Sequence, residues 1–147
     1  MIKIRNAKLS DASKIHYILN NSNELRDYEG KDEVYPISWV RGAVTKKDNL
    51  ALVAEEDRKF IGFTIVHLLR GVSDAISHSL YVAPAYRNKG IATALMNVGE
   101  SWLRKHRYQW SISLVKTSNK KMQKFMAKNN FKKGDAFYVY YKVLNSK

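Results

Sequence analysis

The run Ser79-Leu80-Tyr81-Val82-Ala83-Pro84-Ala85-Tyr86-Arg87-Asn88-Lys89-Gly90-Ile91-Ala92-Thr93-Ala94-Leu95-Met96 decides how this chain folds. It opens as an apolar, β-favouring stretch, and Pro84 stops it by removing a backbone donor. A short basic loop follows, with one glycine at Gly90. From there Ile91, Leu95, Val98 and Trp102 recur at helical spacing, which predicts a helix from about Lys89 to near His106. A strand that feeds a basic, glycine-bearing loop at a helix N-terminus can grip an anion. Unpaired amides and the positive end of the helix dipole point out of the loop, and Arg87 and Lys89 add full charges.

Upstream, Ile2-Lys3-Ile4-Arg5 alternates apolar and polar residues as a half-buried strand does. Ser10-Asp11 offers an N-cap to a helix whose stripe is Ile15, Ile18 and Leu19, ended by Asn20-Asn21-Ser22-Asn23. A second helix is expected after Pro36, carrying Trp39, Val40 and Val44. Ala51-Leu52-Val53-Ala54 and the run from Phe60 to Leu68 read as a hairpin turned by Glu55-Glu56-Asp57-Arg58. Gly62 inside the second strand signals a bulge or the close approach of another group. Residues 75–82 make the strand that enters the opening run.

Downstream, Ser111-Ile112-Ser113-Leu114-Val115 gives a fifth strand, and Ser118-Asn119 caps a helix with Met122, Phe125 and Met126 on its apolar side. Asn130 suits a left-handed helix end. The tail Phe137-Tyr138-Val139-Tyr140-Tyr141-Lys142-Val143-Leu144 is apolar on both faces and is expected to form a last strand, packed on both sides or at a dimer interface. Helices between the later strands argue for an α/β layer fold in one domain, residues 1–147.

Bulk composition narrows the function classes. The chain has 147 residues, 45% hydrophobic and 27% charged, as an ordinary globular domain does. No apolar run approaches the roughly 20 residues that cross a bilayer, and the N-terminus lacks a signal peptide's apolar core. Zero cysteines exclude disulfides, thiolate metal sites and a cysteine nucleophile. The expectation is a cytoplasmic protein with no membrane partner. The formal charge of +13 attracts polyanions. Its lysines and arginines are spread along the chain without a nucleic-acid-reading motif, so solubility and a phosphorylated cofactor account for it best.

The central motif carries a resemblance. Arg87-Asn88-Lys89-Gly90-Ile91-Ala92 resembles the Arg/Gln-x-x-Gly-x-Gly/Ala signature of the GNAT acetyltransferase family. The order of elements is similar to that family over almost the whole chain. The resemblance implies a central mixed, mostly antiparallel twisted sheet of about six to seven strands flanked by about four helices. It implies acetyl-coenzyme A as acetyl donor and no metal. Leu80, Tyr81 and Val82 would run beside the pantetheine arm. Arg87, Asn88, Lys89, Gly90, Ile91 and Ala92, with Thr93 following, would hold the pyrophosphate, and a backbone amide near Val82 would face the thioester carbonyl. Asn119 resembles the asparagine that opens the next helix against the coenzyme, although a plain N-cap role is equally open. Asn88 stands where many members carry glycine, and asparagine tolerates a left-handed backbone.

One departure concerns catalysis. Phe125-Met126-Ala127-Lys128-Asn129-Asn130-Phe131 resembles the family segment in which a tyrosine protonates the departing thiolate, and Met126 takes the tyrosine's place. A thioether has no proton to give. Either Tyr81, Tyr138 or a water serves as donor, with Tyr138 the candidate taken, or the thiolate leaves unassisted. For the base that takes the ammonium proton, His78 shares the parity of Leu80 and Val82 on its strand and has a suitable ordinary pKa. A partly buried strand histidine is the competing reading. Glu29 and Glu33 are weaker candidates in the expected acceptor region. The four histidines are too dispersed for a metal site.

The reading is an N-acetyltransferase acting by direct attack of a primary amine, whether a protein N-terminus, a lysine or a small amine. A non-catalytic coenzyme A-binding module is the first alternative and a nucleic-acid-associated basic protein the second. The acceptor, as small molecule or protein, is not written in the chain.

Overall fold

The apolar runs flanking Glu55-Glu56-Asp57-Arg58 pair as the central hairpin of a five-stranded sheet, ordered β1-β2-β3-β4-β5. The strands are β1 (Ile2–Asn6), β2 (Asn49–Glu56), β3 (Lys59–Leu69), β4 (Asp74–Val82) and β5 (Trp110–Ser113). The computed structural model describes residues 1–25, 35–142, 144 and 145. Asp57 and Arg58 both take positive φ, 50° and 66°, as a two-residue turn matching the twist of its strands requires. The first three pairings are antiparallel and β4–β5 is parallel. The sheet is thus mixed and mostly antiparallel, with fewer strands than expected.

The helices are α1 (Ala12–Asn21), α2 (Ile37–Thr45), α3 (Ile91–Lys105) and α4 (Lys120–Lys128). Residues 1–113 form one compact unit and residues 114–147 a second. In the first, the sheet is covered on both faces. Ile91, Leu95 and Leu103 of α3 pack on Leu50, Leu52, Ile61, Val66 and Val82. On the other face Ile15 and Leu19 of α1 and Val40 and Ala43 of α2 pack on Val53, Phe63 and Ile65. Strands covered twice read as continuous apolar runs, and residues 50–54 and 61–66 are buried throughout. The row of α3 that meets the sheet includes Gly99, which lets the helix approach Leu50 and Leu52. Val98, read from the sequence as part of that stripe, is 40% exposed.

Two local readings change. Asp11 does not cap α1 with its side chain. A 3-10 turn over Leu9–Asp11 precedes the helix, and the Asp11 carboxylate accepts from the Lys8 amide (2.7 Å) and from both terminal nitrogens of Arg5 (2.8 and 3.0 Å). Arg5 also donates to Glu55 on β2 (2.8 Å), so the carboxylate joins β1 to the turn before α1. Burial raises the Asp11 pKa, but the Arg5 and Lys8 hydrogen bonds outweigh it and hold the group below its ordinary 3.8.

The second change is the tail. Residues 131–142 form no strand or helix, and Phe137, Tyr138, Val139, Tyr140 and Tyr141 are each more than 70% exposed. High β-propensity does not make a strand without a ladder to join. In the same unit Asn130 has φ 67° after α4, as expected. Among the described residues no helix is long and apolar enough to cross a membrane.

Candidate functional site

The strand–loop–helix run folds as its sequence reads. β4 ends at Val82, Pro84–Tyr86 form a 3-10 turn, and α3 starts at Ile91 with Gly90 as N-cap. Two residues of the loop are left-handed, Asn88 (φ 61°) and Gly90 (φ 79°). No side chain caps α3. The first-turn amides of a helix lack intrahelical partners and carry the positive end of its dipole. Asn88, Lys89, Gly90, Ile91, Ala92 and Thr93 therefore surround a set of backbone donors suited to a pyrophosphate. Open space surrounds Gly90: an added Cβ would meet nothing within 4 Å. What the loop offers an anion is backbone-made.

Arg87 contributes differently from the sequence expectation. Its Nε donates to the Val82 carbonyl (2.8 Å), and its terminal nitrogens donate to the two Glu24 oxygens (3.0 and 3.2 Å). The guanidinium also lies 5.8 Å from the Tyr81 ring centre. Arg87 thus braces the end of β4. Lys89 sits over Tyr86, 5.4 Å from its ring centre.

That brace singles out a donor left without a partner among the described residues, the Val82 amide. The Ala83 amide donates to Ile61 on β3 (2.8 Å). Amide and carbonyl of one strand residue point the same way and alternate along the strand. The Val82 N–H and C=O therefore turn away from β3, and the carbonyl is the one that Arg87 holds. Pairing with β5 runs only from Asp74–Trp110 to Ser77–Ser113, so β5 does not take the Val82 amide. Gly62 opposite Val82 is tight: a Cβ there would stand 2.6 Å from the Tyr81 carbonyl oxygen. The close approach expected at this glycine is real.

His78 does not share a face with Leu80 and Val82. The β3–β4 register runs Ile65–Ser79 and then Val66–Ser77, so His78 is the extra residue of a β-bulge. The bulge turns its ring into a cluster with Tyr35, Trp39 and His67, each 5.0 Å away between ring centres. His67 is held by a short contact between its Nδ1 and Asn49 Oδ1. Burial lowers the His67 pKa from its ordinary 6.5. The sequence did not single out Trp39, His67 or Tyr35 as neighbours of His78, and a one-residue bulge gives no sequence signal that could have done so.

In the second unit Asn119 Oδ1 accepts from the Met122 amide (3.0 Å), an N-cap on α4. Met126 is 8% exposed and Tyr138 is 89% exposed. Glu29 and Glu33 lie outside the described residues. Among the described residues no group of three or more His, Asp or Glu could hold a metal ion.

Comparisons with known proteins converge. The acetyltransferase (GNAT) family model matches residues 14–131. An uncharacterized N-acetyltransferase, YhfO of Bacillus subtilis (strain 168), is 25% identical over 147 residues, covering 95% of each chain. The crystal structure of the PaiA N-acetyltransferase from Thermoplasma acidophilum in complex with coenzyme A superposes with TM-score 0.72 at 25% identity, covering 93% of each chain. An aminoglycoside acetyltransferase from an uncultured soil metagenomic sample, in complex with sisomicin, has TM-score 0.79 at 14% identity, covering 97% of this chain and 96% of that one.

Proposed function

We propose that this chain, which belongs to the acetyltransferase (GNAT) family and is an acetyl-coenzyme A-dependent acetyltransferase, acetylates a primary amine by direct transfer on the β4–α3 site. The observation that carries the site is the left-handed loop of Asn88 and Gly90 at an uncapped helix N-terminus, one strand end from the Val82 amide. The coenzyme supplies an acetyl group activated as a thioester. Backbone amides around Gly90 hold its pyrophosphate, and Leu80, Tyr81 and Val82 flank its arm. The Val82 N–H donates to the carbonyl oxygen as negative charge grows there.

The amine nitrogen forms the new bond to the acetyl carbon while the carbon–sulfur bond breaks. The ammonium must first lose a proton. His78 is the candidate base, its ring set among Tyr35, Trp39 and His67. The thiol leaves as thiolate or takes a proton from water or from Tyr138, since Met126 has none to give. Asn119 and Met126 complete the residues assigned to the coenzyme.

The acceptor class stays broad: a protein N-terminus, a lysine or a small amine. A small polycationic acceptor is supported by the fold shared with an aminoglycoside acetyltransferase, and a cytoplasmic setting by acetyl-coenzyme A itself. The family match runs from residue 14 to residue 131, which supports one catalytic domain across both units. The exposed aromatic run at residues 137–141 supports self-association as a homodimer, and a concentration-independent monomer in sedimentation would remove that part.

The test is coenzyme A thiol release across an amine panel, in wild type, Gly90→Glu and His78→Gln. Turnover with at least one amine is expected, abolished by Gly90→Glu. For His78→Gln, kcat is expected to fall and its pH profile to lose a limb. An unchanged profile removes His78 as base while leaving the transferase intact.

A further inference from the structure

We propose that a recess at the carboxyl end of α3, opposite the β4–α3 loop, is a second anion site that takes a soluble nucleoside polyphosphate. The recess has a volume of about 770 Å³ and is walled by four connections: β1 to α1, α2 to β2, β3 to β4 and α3 to β5. That size suits a nucleotide and far exceeds a single oxyanion. Because α3 has 15 residues, the recess lies about 22 Å along the helix from Gly90.

Lys46, Lys47, Arg70 and Arg107 line the recess, and no carboxylate is among its lining residues. Among the described residues none of the four is in an ion pair, whereas Arg5, Arg87 and Arg104 all are. One alternative is that these cations serve only to neutralise helix ends. The carboxyl ends of α2 and α3 do face the recess, but each contributes only about −0.5 charge. Four cations against two such ends leave roughly +3, which the negative charge of a nucleoside diphosphate or triphosphate would offset.

The walls are tied together without a ligand. Arg70 donates to the Lys47 carbonyl (2.6 Å), linking two of the connections. The Ser73 carbonyl accepts from the Gln109 amide (2.9 Å), linking the β3–β4 and α3–β5 connections. Ser73 and Arg107 are left-handed, with φ 58° and 65°, so the cations are carried on defined backbone. Beside them Trp102 stacks on His106, centres 3.8 Å apart and planes 17° apart, and His106 Nδ1 contacts the Trp102 carbonyl (2.8 Å). Phosphates on the cations and a base on this aromatic shelf satisfy both halves of the recess.

Isothermal titration with ATP tests the site in wild type, in Arg70→Gln/Arg107→Gln, in Lys46→Glu/Lys47→Glu and in Gly90→Glu. One-to-one binding is expected, with Kd below roughly 1 mM. Each double variant should weaken it at least about tenfold while leaving acetyl-coenzyme A affinity and thermal midpoint near wild type. Gly90→Glu should leave ATP binding unchanged, which separates this site from the β4–α3 loop. ATP binding that is absent, or lost only in Gly90→Glu, overturns the proposal. A uridine decamer that binds through Arg70 and Arg107 when ATP does not would also overturn it, in favour of a nucleic-acid strand.

Discussion

At its amino end α3 meets a proposed anion site made of backbone, and at its carboxyl end a basic recess made of side chains. The first needs almost no charge of its own: Arg87 is committed to Val82 and Glu24, and the donors are amides that any residue provides. What it needs is backbone shape, and left-handed Asn88 and Gly90 provide it. The second works against the helix dipole, and its cations outnumber what the helix ends require. A shape-made site is broken by a change of conformation or volume, a charge-made site by a change of charge.

The largest effect should come from Gly90→Glu, which puts a bulky anion where the proposed site would take a pyrophosphate and strains a positive φ. Acetyl-coenzyme A affinity should fall at least about 100-fold, near 2.7 kcal/mol, in direct titration. A loss below about tenfold would mean that the loop is not the phosphate site.

Next is Gly62→Ala. Its Cβ would press on the Tyr81 carbonyl at 2.6 Å, an overpacking worth about 1–3 kcal/mol. Calorimetry should show a midpoint several degrees lower. An unchanged midpoint would show that the β3–β4 contact yields easily.

Arg87→Gln sharpens the contrast, because it removes charge and keeps backbone. Coenzyme affinity should fall less than about tenfold. A loss as large as that of Gly90→Glu would make the loop a charge-made site after all.

The smallest effect is a pH dependence near the recess end, where Asn49 holds His67. Burial keeps the folded pKa of His67 below 6.5. Above 6.5 both folded and unfolded forms are neutral and its contribution to stability is complete. As pH falls below 6.5 the unfolded chain takes the proton first, and stability is lost down through the folded pKa. The thermal midpoint should therefore drop less between pH 7 and about pH 5 in His67→Gln than in wild type. An identical slope would show that His67 is not responsible.

These two ends also differ in how much the sequence reveals. The β4–α3 loop is local, so Pro84, the basic loop and the helical stripe announce it within about two turns of chain. The recess draws on residues 6–7, 44–47, 49–51, 70, 73, 102 and 106–108, and no window of sequence contains it. Lys46-Lys47 alone reads as a solvated pair. The tail fails for another reason. Phe137 to Tyr141 have strand propensity, but a strand exists only where another supplies hydrogen bonds, and residues 131–142 form none. Asn130 and Gly62 were legible because each answers a purely local demand, one of φ and one of space.

The bulge at His78 has a further consequence for how β4 tolerates change. Ala75 upstream and Leu80 and Val82 downstream all belong to the α3-facing core, although an odd step separates Ala75 from both. The strand beats in twos, and His78 is its extra beat. Substituting His78 alters chemistry and leaves the rhythm intact. Deleting it would leave Ser77 and Ser79 adjacent in unbroken alternation, with Leu80 still on the α3 side and Tyr81 on the other. The bulge therefore absorbs one residue without changing which side chains of β4 face α3, whatever the His78 imidazole does.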